Sequence, residues 1–296
     1  MNNRQLAVVS VDQVSWRDYL VLCKPKVVLV MLITAVVGMF LAVPGLPDLS
    51  KVFFGLLGIG LSAGSAAAIN HVMDRKIDEK MARTKGRPLP QGRLSPQQAV
   101  TFSAVIGVLG ISILVVMVNA LTAWLTLFAL IGYALVYTVW LKRATPQNIV
   151  IGGVAGAAPP LLGWTAITGV VEPNSLLLVL IIFAWTPPHF WSLCIARLND
   201  YEKAGVPMLP VTHGEEYTKL QILLYSLLMI VTTLLPFMTG MSGYAYLIAV
   251  SLINARFIYW VYRLWHKPQG VPMALFRYSI NYIMMLFVIL LVDHYL

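Results

Sequence analysis

Asn70-His71-Val72-Met73-Asp74-Arg75-Lys76-Ile77-Asp78 closes an otherwise apolar stretch and leads at once into the basic run Lys80-Met81-Ala82-Arg83-Thr84-Lys85-Gly86-Arg87-Pro88. A helix that continues through it carries Asn70, Asp74 and Asp78 at steps of four residues, drifting about 40° each time, so the three share one face. Two carboxylates and an amide on one face suit a hard cation. Magnesium in particular uses one or two protein carboxylates and completes its shell with water and substrate phosphates. The neighbouring Arg and Lys side chains match phosphate oxygens in charge and geometry. The stretch therefore predicts an anionic, metal-bound diphosphate substrate at the end of a membrane helix. A plainer alternative stands beside it, in which the carboxylates merely pair with Arg75, Lys76 or Arg83 on a solvated helix end.

Composition sets the surroundings. Of the 296 residues, 59% are hydrophobic and 11% charged, against roughly 45–50% and 25% in soluble domains; the mean hydropathy is +0.79. This predicts an all-α polytopic membrane protein. Windows of about 20 apolar residues give nine spans, at 27–44, 52–69, 99–118, 121–141, 149–168, 176–195, 220–239, 244–261 and 271–292. With the amino terminus inside, nineteen of the 21 Lys and Arg fall on the inner side, leaving only Lys51 and Arg256. That asymmetry supports nine spans, a cytoplasmic segment over 1–26 and a carboxyl terminus outside. The net charge of +9 is thus a topology signal and not a nucleic-acid footprint.

The first 26 residues carry Asp12 and Asp18 and lack a continuous apolar core, so no cleavable signal peptide is expected and span one is read as the insertion signal. Cys23 and Cys194 have no metal-type spacing and receive no chemistry. No separate soluble domain is expected, because only two inner connections are long. The first follows Asn70; the second runs from Arg197 through Asp200, Lys203 and Pro210 to Glu216. Both mix acids and bases on one membrane face, as a polar cap over an apolar cavity requires.

Within the spans, Gly55, Gly58, Gly60, Gly64, Gly152, Gly153 and Gly156 read as close helix packing. Pro159-Pro160 and Pro187-Pro188 read as helix bends. His189, continued as a regular helix, shares a face with Asp200 from about 16 Å deeper. It is read either as a packing residue or as a contact to the acceptor substrate. Arg256 is expected to snorkel.

Several segments together resemble the UbiA-type membrane prenyltransferases over nearly the whole chain, and within them the branch that acts on haem. They are Lys24-Pro25; Asn70 to Asp78 with Met81-Ala82-Arg83-Thr84 and Arg87-Pro88; and Tyr137-Thr138-Val139-Trp140-Leu141-Lys142-Arg143. Gly156 to Gly163, Pro188-His189, and Asp200-Tyr201 with Gly205 to Val211 complete the set. The resemblance implies nine helices around a central cavity capped by two cytoplasmic loops, in the cell inner membrane. It implies magnesium held by Asn70, Asp74, Asp78 and Asp200, with Asp74, Asp78 and Asp200 catalytic. Diphosphate would be bound by Lys24, Arg83, Arg87, Lys142 and Lys203, and haem by His189. The implied reaction joins the farnesyl group of farnesyl diphosphate to a vinyl group of haem b with addition of water. Membrane lipid surrounds the site, and a haem A synthase or terminal-oxidase assembly protein is the implied partner. An aromatic or quinone-precursor acceptor is the alternative within the class, and a transporter the alternative outside it. One departure is plain: the family often has a second Asp-x-x-x-Asp, whereas here Ala204 stands four residues after Asp200, leaving Asp200 with Glu202 as helper.

Overall fold

The computed structural model describes residues 14–266 and 269–296; Arg4 and Lys267, counted above as inner-side charges, lie outside them. The described residues form thirteen α-helices and one π-helix, without strands: α1 Trp16–Leu22, α2 Pro25–Leu41, α3 Leu49–Lys80, α4 Pro96–Met117, α5 Ala120–Ile131, the π-helix Gly132–Leu141, α6 Lys142–Ala144, α7 Asn148–Ala157, α8 Pro159–Thr168, α9 Pro173–Ala196, α10 Leu198–Ala204, α11 Leu209–Met238, α12 Tyr244–His266 and α13 Val271–His294. Among the described residues eight helical segments are long and apolar enough to cross a membrane; the pair α1 and α2, bent by 54°, makes a ninth when taken as one span. The nine expected spans map onto these, so the chain is a polytopic membrane protein.

Local chemistry explains the ends. Asp48 caps α3 through its carboxylate, which accepts from the Ser50 backbone N–H at 2.9 Å, and Ser95 closes a capping box with Gln98 at the start of α4. With 32 residues, α3 is roughly 48 Å long, well beyond the roughly 30 Å hydrocarbon layer. The helix therefore does run through Asn70, Asp74 and Asp78, and its last turns project past the apolar region.

One expected bend is present and the other is not. The span expected over 149–168 is one crossing, broken at Ala158 with Pro159 at the first position of α8. In contrast, α9 stays helical through Pro187-Pro188 and ends at Ala196, where Arg197 adopts φ −128°, ψ 29°. Asp200 lies on the separate helix α10, so the regular-helix register proposed between His189 and Asp200 does not exist.

Packing is closest where glycine admits a neighbouring backbone. A Cβ on Gly163 would stand 2.0 Å from the Ala35 carbonyl oxygen, and one on Gly38 2.2 Å from that of Pro160, so α2 and α8 touch main chain to main chain. Gly58 and Gly110 do the same for α3 and α4. Gly156 corrects the packing reading: nothing lies within 4 Å of a Cβ there, and it lines a cavity instead. Polar links join the carboxyl-terminal helices: the Tyr282 hydroxyl donates to Asn254 at 2.5 Å, and Asn254 donates to Thr233 at 3.0 Å. At the far end, Val43 O lies 2.9 Å from His294 Nε2, and the Tyr295 hydroxyl donates to Gly45 O at 3.1 Å, tying α13 to the end of α2. Arg256 is exposed, its guanidinium 4.8 Å and 5.3 Å from the Tyr259 and Trp260 ring centroids.

Candidate active site

The site forms where α3, the α1–α2 elbow, the π-helix and the segment 81–95 meet. Lys24 sits in the elbow with φ 49°, a left-handed conformation that is strained for a side chain with a Cβ. It is the only non-glycine residue with positive φ among the described residues. From there its ammonium donates to Asn70 Oδ1. Asn70 Nδ2 in turn donates to Asp74 Oδ2 at 2.9 Å and to Thr138 Oγ1 at 3.2 Å. Lys142, following the π-helix, pairs with the same Asp74 oxygen at 2.6 Å.

One turn further along α3, Arg87 pairs with Asp78 at 2.7 Å, and the Thr84 hydroxyl donates to the Asp78 carbonyl at 3.0 Å. These bonds fold the segment after α3 back over the face. The partners of Asp74 and Asp78 are thus Lys142 and Arg87, drawn from other segments. Local pairing with Arg75, Lys76 or Arg83 does not occur. Asp74 is 2% exposed and Asp78 4%, so neither is a solvated helix end.

The π-helix has a clear local effect. The Thr138 hydroxyl donates to the Tyr133 carbonyl five residues back at 2.8 Å, and the wider turn presents Thr138 to Asn70 and Tyr133 to the cavity, as π-helical turns often do at functional sites. Sequence reading missed Thr138, although it lies inside the Tyr137 to Arg143 segment it had singled out. It also missed His71, which is buried with neither ring nitrogen hydrogen-bonded.

Below this cap lies an apolar cavity of about 520 Å³ lined by Lys24, Tyr133, Gly156, Trp185, His189 and Phe276, among others. His189 is stacked between Trp185 (4.2 Å) and Phe276 (4.7 Å). Its Nδ1 lies 2.6 Å from the Ser279 hydroxyl, which leaves Nε2 for a ligand. A single cavity therefore runs from a lysine of the polar cap to the histidine.

The second cap packs on the first. Met81 shares one buried apolar cluster with Tyr201, Ala204, Val206 and Met208, and Arg83, itself exposed, is close enough to Tyr201 to act on it electrostatically. Burial pushes the Tyr201 phenol up, so it stays protonated. Asp200, half-buried, and Lys203, exposed, both sit on α10. They are not joined to the α3 face: the ion pairs among the described residues are Arg87–Asp78, Arg93–Asp18, Lys142–Asp74 and Lys219–Glu216.

Charge defines what the cap can hold. Asp74 and Asp78 face Lys24, Lys142 and Arg87, and Arg83 lies near Lys24, so cations outnumber carboxylates and an anion completes the balance. Within this set Asp74 Oδ1 is buried without any hydrogen-bond partner. An unsatisfied carboxylate oxygen beside a second carboxylate and an amide is a donor set of the kind a hard cation takes.

An all-α membrane bundle with such a cap over an apolar cavity suits an apolar substrate that carries a diphosphate, and the chain belongs to the UbiA prenyltransferase family, whose model matches residues 31–288. Among its relatives, the protoheme IX farnesyltransferase of Legionella pneumophila (strain Paris) is 60% identical over 283 residues, covering 95% of this chain and 96% of that protein. The protoheme IX farnesyltransferase of Saccharophagus degradans (strain 2-40) is 56% identical over 293 residues, with 99% and 97% covered. In fold the chain is similar to a digeranylgeranylglyceryl phosphate synthase, with a TM-score of 0.78 at 20% identity over 94% of this chain and 98% of that one. It is also similar to a UbiA homolog from Archaeoglobus fulgidus solved with DMAPP and Mg2+, with a TM-score of 0.68 at 19% identity over 92% and 99%.

Proposed function

We propose that this chain is a protoheme IX farnesyltransferase, joining the farnesyl group of farnesyl diphosphate to a vinyl group of haem b with addition of water, to give haem O and diphosphate. The observation that carries this reading is the single cavity shared by Lys24, bonded into the cationic cap, and His189, stacked between two aromatic rings.

The residues divide the work by charge. Lys24, Arg83, Arg87 and Lys142, with Lys203 from the second cap, neutralise the diphosphate, most strongly as its bridging oxygen leaves with the bonding electron pair. Asn70, Asp74 and Asp78, with Asp200 from α10, would hold magnesium, which when bound supplies further charge neutralisation at the departing diphosphate. The coordination chemistry of this set supports magnesium, and a UbiA homolog has been solved with it. The apolar walls keep water from the allylic carbon until the vinyl group adds to it. Burial of the isoprenoid favours binding by about 0.8 kcal/mol per CH₂. Water then adds to the cation beside the porphyrin, and its proton leaves with the diphosphate. His189 would contact the haem, with Ser279 fixing the ring through Nδ1 and leaving Nε2 open to the substrate.

In this reading the polar cap faces the cytoplasm, the amino terminus is inside, the carboxyl terminus outside, and the membrane is the cell inner membrane. A haem A synthase or terminal-oxidase assembly protein is the partner that would receive the product. The test is direct: the reconstituted chain is given farnesyl diphosphate and haem b, and the farnesylated haem is sought by mass spectrometry. Product that depends on Asp74 supports the reading; farnesylation of an aromatic acceptor with haem b untouched overturns it.

A further inference from the structure

The back of α3 carries a second cavity that the proposed reaction does not use. It measures about 530 Å³ and is lined by Arg75, Lys76 and Arg143 together with Val72, Ile77 and Val206, among others. Val72, Arg75 and Lys76 project from the side of α3 roughly opposite to Asn70 and Asp74 at 100° per residue. Arg143 reaches it from α6, anchored by a 2.8 Å bond from Nη2 to the Met73 carbonyl. That bond uses one of five guanidinium donors and leaves the rest for a ligand.

No carboxylate lines this cavity among the described residues. Glu79 on α3 and Glu202 on α10 lie nearby in sequence, yet both are exposed and neither forms an ion pair with the three cations. Three unneutralised cations over a wall of Val72, Met73, Ile77, Val206 and Pro207 match a ligand that is anionic at one end and apolar at the other. A free phosphate would use the cations and ignore the wall. Basic pockets between membrane helices at the surface are where acidic head groups bind.

We propose that this cavity binds the phosphate of an anionic phospholipid, at the same membrane face as the diphosphate site. The two sites stand back to back through consecutive residues. Asp74 faces the diphosphate cap and Arg75 the lipid, while Lys142 pairs with Asp74 and Arg143 holds Met73 from the lipid side. A lipid phosphate bridging Arg75 and Arg143 braces α3 against α6, and with them the Asp74–Lys142 pair.

The experiment compares lipid retention by the full chain in nanodiscs of phosphatidylcholine alone or mixed with phosphatidylglycerol, read by native mass spectrometry after release. The wild-type chain should retain phosphatidylglycerol in preference to phosphatidylcholine. The R75Q/K76Q double variant, which keeps the Arg143 anchor, should lose that preference by roughly fivefold per cation removed. Arg75→Lys should largely keep it. Equal retention by wild type and the double variant overturns the proposal, as does displacement of the lipid by inorganic pyrophosphate at the concentration that fills the diphosphate site. Because the readout is binding, the outcome does not depend on which acceptor the enzyme uses.

Discussion

Replacing Lys142 by Met separates the pairing of charges in the cap from its catalysis. Asp74 Oδ2 receives two donors, Lys142 at 2.6 Å and Asn70 at 2.9 Å, while Oδ1 receives none. Both members of the ion pair are shielded, with side-chain exposures of 14% for Lys142 and 4% for Asp74. Lys142→Met therefore leaves a buried carboxylate with one neutral donor. Removing one partner of a buried pair destabilises by about 3–5 kcal/mol, mostly because the remaining charge stays buried. Asp74→Asn in the same background removes that charge, so the double variant should be more stable than the sum of the single changes by at least about 1.5 kcal/mol. The assay is chemical denaturation of the four proteins in mixed micelles, read by tryptophan fluorescence as a double-mutant cycle. Strictly additive effects, or a Lys142→Met protein as stable as wild type, would refute the buried pairing.

Three further outcomes follow from other contacts. Chelation should stop farnesyl transfer and added magnesium restore it, with Asp74→Asn lowering the rate about 10²-fold or more; turnover that survives exhaustive chelation excludes the metal assignment. Ser279→Ala removes the partner 2.6 Å from His189 Nδ1 and should weaken haem b binding by about tenfold in a Soret titration, while His189→Ala should abolish the ligand-dependent Soret shift. Gly163→Ala forces a methyl to within 2.0 Å of the Ala35 carbonyl and should destabilise the bundle by about 1–3 kcal/mol. A thermal midpoint unchanged from wild type would show that α2 and α8 separate at little cost.

The bundle was largely readable from the chain because lipid leaves the backbone few alternatives. A run of about 20 apolar residues must satisfy its own hydrogen bonds, so hydropathy alone located the crossings. The Asn70, Asp74, Asp78 periodicity was readable for the same reason: a helix fixes which of its residues share a face. What failed were inferences carried across breaks. The relation between His189 and Asp200 assumed a regular helix, but the chain ends that helix at Ala196 and starts α10 at a new angle. Gly156 looked like a packing glycine and turned out to line the cavity, because a small residue serves contact and empty space equally well.

The sequence by itself determined the solvent, the number of membrane crossings and the one face that carries two carboxylates and an amide, since each depends only on local composition and the fixed pitch of a helix. Tertiary structure alone decided which cations meet that face. Lys24 lies 46 residues from Asn70, and Lys142 lies 68 residues from Asp74. Their meeting depends on a left-handed residue at an elbow, a widened turn before Lys142 and glycine-mediated closeness of helices. These are long-range packing outcomes, and no local periodicity encodes them.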